Sequence, residues 1–186
     1  MVLVGHASTA ATRRTAFPLD EPLEPLGLAA AEQARGRFAA DRPALTGPAS
    51  RCRQTAEALG LAAIVDDALT DWDLGRWAGR TLNDLTAEEP SAVQAWLTDS
   101  DSAEHGGESL TALIARVGRW LDDPPTPRPD RLVAVVPAAW IRSALVTALD
   151  APASTFWRID VPPLSSVELR GRPARWTLHL TPPTPP

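Results

Sequence analysis

Two short stretches hold the residues whose types could do chemistry. "VLVGHAST" delivers His6, one of three histidines in the chain, to the end of an apolar run. "LVAVVPAAWIRSAL" is built the same way but ends on Pro137. An imidazole at such a point can act as a nucleophile or as a general acid and base, because its ordinary pKa lies near neutrality. Carboxylates that could serve beside it occur in "TDWDLG" (Asp71, Asp73) and "GGES" (Glu108), and a guanidinium in "SRCRQTA" (Arg51). His105 and His179 fall on a loop and a late strand with no metal-ligand spacing. No glycine-rich phosphate loop, dinucleotide fingerprint or serine elbow occurs, so the expectation is no metal and no cofactor.

Elements must position these groups. "MVLVG", "PALTG", "AAIVDDAL" and "RLVAVV" read as short strands, the last of them the strongest. Between them, "LAAAEQARGRFAA", "SRCRQTAEALGL" with a serine cap, and "WIRSALVTAL" have helical composition. In "ESLTALIARVGRWLDD" the residues Leu110, Leu113, Ile114, Val117, Trp120 and Leu121 recur at helical spacing and make one apolar face. "SSVELR" and "RWTLHL" are close enough to pair as a hairpin across "GRPA". Strands alternating with helices predict an α/β three-layer sandwich with a mainly parallel central sheet. Ligands of such sheets sit beyond the carboxyl ends of central strands, and both opening stretches are such ends. Residues 1–180 are expected to form one domain, with 181–186 ("TPPTPP") as a disordered proline-rich tail.

Composition narrows the partners. A net charge of −5 argues against a nucleic-acid face, and no stretch approaches the ~20 apolar residues of a membrane span. All 18 basic residues are Arg, so single arginines carry little weight by type alone. The lone Cys52 excludes an internal disulfide and suits a reducing, cytoplasmic setting, where a half-buried structural thiol is expected.

Six segments, in order, resemble the histidine phosphatase superfamily in its phosphoglycerate mutase-like branch. "LVGHAST" stands at the family's R-H-G-E-T signature, followed by "PLEPLGLAAAEQA", "TGPASRCRQTA", "LTDWDLGRWAG", an intact Gly106-Gly107-Glu108-Ser109, and "AVVPAAWIRSAL". The resemblance implies that His6 occupies the position of the phosphoryl-accepting nucleophile and Arg51 that of one phosphate-binding arginine. Asp71 falls where the proton donor usually sits, and Glu108 is expected near His6. It also implies losses. Gly5 stands where the family has an arginine, Pro137 where it has a second histidine, and Ala7, Ala138 and Ala139 where it has glycines.

Phosphoryl transfer is catalysed almost wholly by positioning and charge stabilisation. Each missing donor typically costs ~10²–10³ in rate, so two losses together come to about 10⁴ or more. The sequence therefore predicts a pocket repurposed for a small molecule, apolar or aromatic, with His6, Asp71 and Glu108 in acid/base roles. An isomerisation, elimination, cyclisation or hydrolysis would suit that cluster. Arg51, Trp72, Trp140, Gly5, Pro137 and Ser8 are the expected ligand-binding residues, with Trp72, Trp77 and Trp140 near the mouth. Trp96, Trp120, Trp157 and Trp176 read as core or flank, and Arg142 as structural. Two alternatives stay open: a non-catalytic binding protein, and a weak phosphomonoesterase in which Arg13 or Arg14 replaces the lost arginine. The oligomeric state stays open as well, a homodimer included.

Overall fold

The computed structural model describes residues 1–122, 129 and 131–180. The proline-rich tail and most of the loop after residue 122 lie outside the described residues. One six-stranded sheet organises the chain. Its strands are β1 (Val2–Gly5), β2 (Ala44–Thr46), β3 (Ala63–Val65), β4 (Val133–Val136), β5 (Ser166–Arg172) and β6 (Arg175–His179), in the order β3-β2-β4-β1-β5-β6. The first four run parallel, and β5 and β6 add an antiparallel hairpin at one edge. The expected mainly parallel α/β sheet is thus the architecture found.

β1 and β4 lie side by side at the centre, with Gly5 opposite Val136, and every residue of both is buried. Covered on both faces, they read as continuous apolar runs rather than alternating ones. This register brings His6 and Pro137 off adjacent strands at the same edge, and the His6 N–H donates to the Val136 carbonyl.

Among the described residues seven α-helices surround the sheet: α1 (Ala10–Arg14), α2 (Pro25–Gln33), α3 (Ser50–Ala58), α4 (Leu82–Glu88), α5 (Pro90–Thr98), α6 (Leu110–Asp122) and α7 (Ala138–Ala148). α6 buries Leu110, Leu113, Val117, Trp120 and Leu121 as its spacing predicts, with Ile114 only half-buried at the stripe's margin. α3 begins where expected, but Ser50 is not its cap. Ala49 holds that position, and the Asp20 carboxylate accepts both the Ser50 N–H (2.6 Å) and the Ser50 hydroxyl (3.0 Å) from outside the helix. α1, α4 and α5 extend the helical content beyond the sequence reading. The buried Cys52 thiol is pushed up to about 12 by its burial. No described helix is long and apolar enough to cross a membrane.

Candidate active site

α3 holds the loop after β1. The Thr55 hydroxyl donates to the Arg51 carbonyl (2.7 Å) and accepts the Ala7 N–H (3.0 Å), which fixes the residue following His6. α2 presses on the same loop from the other side. A Cβ on Gly27 would lie 2.2 Å from the Ser8 carbonyl oxygen, so only glycine lets the two backbones approach this closely. The His6 Nδ1–H donates to the Ala7 carbonyl at 2.8 Å. This bond fixes the tautomer that leaves a lone pair on Nε2. Burial, the largest influence, lowers the His6 pKa below its ordinary value. The Arg51 charge adds to that, against the Ala7 carbonyl and the charges of Asp71 and Glu21. The ring is therefore neutral at pH 7, with Nε2 unpartnered by any described residue.

The cavity beside it has a volume of about 240 Å³. Its walls are chiefly aromatic: Phe17, Trp72, Trp96, Phe156 and Trp157. The polar members are His6, Thr9, Thr12, Glu21, Asp71 and Arg142, with Ala138 and Ala139 at the start of α7. Trp96 and Trp157 meet edge to face with centroids 4.6 Å apart, and Trp72 meets Phe156 likewise at 5.5 Å.

The structure separates the expected site residues into groups. His6, Asp71 and Trp72 share the cavity. Arg51 is only 2% exposed and opens instead on a neighbouring cleft of about 710 Å³, for which Asp71, Trp72 and Pro18 form the common wall. Its Nη2 donates to Asp71 Oδ2 at 2.5 Å and its Nη1 to the Leu19 carbonyl at 2.8 Å, while Nε is buried without a partner. Asp71 Oδ1 accepts the Trp72 N–H at 2.7 Å, so both carboxylate oxygens are occupied. Glu108 lies on that second cleft, not in the His6 cavity. Its two oxygens accept from Arg116 at 2.8 and 3.0 Å, and Arg116 also donates to the Thr70 and Asp71 carbonyls. Glu108 thus braces the Asp71 loop through Arg116 and through the Trp72 Nε1–H bond to its own carbonyl.

Trp140 is a correction. It is fully buried, packed edge to face on Trp120 (5.0 Å) in the core, because its place on α7 points it away from the cavity. Trp77 is likewise fully buried, against Phe17, Trp96 and His105, and does not line the mouth. Trp96 and Trp157 stand there in their place. Ser8, Gly5 and Pro137 are not among the lining residues: Ser8 faces Gly27, Gly5 lies under Val161 and Pro162, and Pro137 begins α7. Nor do Arg13 and Arg14 reach in. Arg13 is 70% exposed and paired with Glu24 at 3.4 Å, and Arg14 folds back onto the Ala10 carbonyl.

Sequence reasoning missed Glu21 and read Arg142 as structural, whereas both line the cavity. Glu21 accepts from the Thr9 hydroxyl at 3.0 Å, and its acidic neighbour in "LDEP" gave it no distinction in the sequence. Arg142 sits one turn after Ala138, and that i, i+4 spacing on α7 was the available signal. Among the described residues no group of His, Cys, Asp and Glu could hold a metal ion.

A mainly parallel α/β sheet with a histidine at the carboxyl end of a central strand, beside a ligand-sized cavity, puts the candidate site where ligands of such sheets sit. The pattern of the Histidine phosphatase superfamily (branch 1) matches residues 1–182, and the chain belongs to that superfamily. It is 33% identical over 141 residues to the bifunctional protein Rv2228c of Mycobacterium tuberculosis, covering 72% of this chain and 38% of that one. It is 36% identical over 101 residues to the glucosyl-3-phosphoglycerate phosphatase of the same species, covering 50% of this chain and 45% of the other. The chain thus spans less than half the length of either. The solved structure of mycobacterial glucosyl-3-phosphoglycerate phosphatase with VO3 superposes with a TM-score of 0.79 at 28% identity, covering 97% of this chain and 96% of that one. Phosphoserine phosphatase of Entamoeba histolytica shares the fold, with a TM-score of 0.84 at 17% identity over 98% and 96% of the two chains.

Proposed function

We propose that the chain is a phosphomonoester hydrolase of reduced power, with His6 as phosphoryl acceptor and an apolar or aromatic group on the leaving alcohol. The observation that carries this reading is the His6 ring, lining the cavity and held through Nδ1 by the Ala7 carbonyl, with Nε2 unpartnered by any described residue. In the first step Nε2 attacks phosphorus, the P–O bond to the alcohol breaks, and a phosphohistidine forms. Water then attacks that phosphorus, releasing phosphate and restoring the imidazole. Both Asp71 oxygens are already engaged, Oδ2 by Arg51 and Oδ1 by the Trp72 N–H, whereas Glu21 engages only Oε1, and this favours Glu21 for passing a proton to the leaving group. The phosphatase relatives support this reading over a wholly different chemistry. The aromatic walls favour a leaving group of that character, and an aryl alcohol also departs with little help from an acid.

Reduced power follows from Gly5 and Pro137, which bring neither a cation nor an imidazole to the transferring group. A second reading, acid/base catalysis without phosphoryl transfer, draws on one specific observation: Arg51 is already neutralised by Asp71. Hydrolysis of p-nitrophenyl phosphate separates the two. The first reading expects slow turnover that His6→Ala abolishes. No turnover by the parent protein, or turnover unchanged in His6→Ala, would defeat it.

A further inference from the structure

We propose that Arg142 is the anion anchor of the His6 cavity, the residue that grips the acidic group of the substrate. This rests on the reading of the substrate as an anion but not on its hydrolysis.

Four cationic side chains come into question near the site, and three are engaged. Arg51 is committed to Asp71 and Leu19, Arg116 to Glu108 and two carbonyls, and Arg13 to Glu24 outside the cavity. Arg142 lines the cavity itself. Its Nε is buried with no hydrogen-bond partner, and among the described residues it forms no ion pair. Its guanidinium carbon lies over the face of Phe156, 5.5 Å from the ring centre. Stacking of this kind holds the planar fork in place while its N–H edges stay unused. Arg142 is half-buried, and a guanidinium whose buried Nε has no acceptor is costly to keep; burial lowers its pKa, with the charge of Asp160 opposing.

The helix that carries Arg142 adds to the same field. α7 spans 11 residues, and no side chain caps its start, where Pro137 stands. Ala138 and Ala139 face the cavity from its first turn, and a side chain one turn later leans back toward the helix start. The positive end of the helix dipole and the guanidinium therefore serve one region of the cavity. The walls around them are the rings of Trp72, Phe156 and Trp157. An aryl phosphate satisfies both halves of this environment.

The aromatic walls supply the readout. Trp72, Trp96 and Trp157 line the cavity, so a bound aryl phosphate alters tryptophan emission. Phenyl phosphate and, separately, inorganic phosphate are titrated into the parent protein, Arg142→Met, Arg142→Lys and Arg13→Gln. Arg142→Met keeps the aliphatic stem over Phe156, and its thermal midpoint reports whether the fold is kept. The expected result is an affinity for phenyl phosphate about tenfold or more weaker in Arg142→Met, as for the loss of a charge-assisted hydrogen bond. Arg142→Lys recovers part of it, and Arg13→Gln matches the parent. Equal binding by a folded Arg142→Met overturns the proposal, as does no binding by the parent at about 20 mM, roughly ten-thousandfold above a micromolar Kd. Binding that needs Arg142 but gives no hydrolysis sustains the anchor while removing the phosphatase reading. Hydrolysis with unchanged binding in Arg142→Met does the reverse.

Discussion

Replacing Asp71 with alanine probes the ion pair that separates the two cavities. Arg51 is almost wholly buried, and Asp71 is its only carboxylate partner among the described residues. The Nη1 bond to the Leu19 carbonyl would survive the substitution, but Nη2 would join Nε in having no acceptor. Breaking a buried pair from one side typically costs 3–5 kcal/mol, because the remaining charge is left uncompensated. The Asp71 side chain is 20% exposed, so water reaches part of the vacated space and the lower end applies, about 3 kcal/mol. For a chain of this size that lowers the thermal midpoint by about 6–12 °C. Denaturant unfolding followed by circular dichroism measures it directly. A loss below about 1 kcal/mol, the range of exposed pairs, would refute the claim that Arg51 depends on Asp71. Added phosphate should recover part of the loss, since it can supply the acceptor that Arg51 lacks.

Three further outcomes follow from the same geometry. Gly27→Ala should destabilise by about 3 kcal/mol in urea melts, since its Cβ would collide with the Ser8 backbone and push the loop that carries His6. The lowered His6 and His105 pKa values, both caused first by burial, mean the unfolded chain takes up protons near pH 6.5 that the folded chain refuses. Stability should thus be level above pH 6.5 and fall as pH drops below it, by at most about 1.4 kcal/mol per pH unit for each histidine. Urea midpoints at pH 7.5 and 5.5 would reveal this, and equal midpoints would contradict it. The double change Gly5→Arg with Pro137→His should raise p-nitrophenyl phosphate turnover at least about a hundredfold. A Cβ on Gly5 meets its nearest neighbour at an ordinary 3.5 Å, so the backbone there tolerates a Cβ.

Much of the fold was legible because its strongest signals are local. Continuous apolar runs at 2–5 and 132–136 can be buried only as central strands, and the stripe on α6 admits one face. Short polar helices such as α4 carry too little periodicity to be read, and they hold their shape through packing with α5. Within the site, His6 was legible from its place at a strand end, and Asp71 and its neighbour Trp72 only through the family resemblance. Which tryptophans face the cavity was not. Trp140 and Trp157 are both aromatic residues near the carboxyl edge of the sheet, and only the roll of α7 and the path of the loop after it decide that one packs inward and the other lines the wall. Glu108 and Arg51 looked like site residues because sequence does not reveal pairing. Their partners, Arg116 and Asp71, come from other segments and occupy them.

The central claim is that the His6 Nε2 atom accepts a phosphoryl group. Rapid quenching of the protein with an aryl phosphate labelled at phosphorus, followed by peptide mapping, tests it most directly. The label should be stable in alkali, lost in acid, and confined to the peptide holding His6. Turnover of the same compound with no label at His6 would contradict the account.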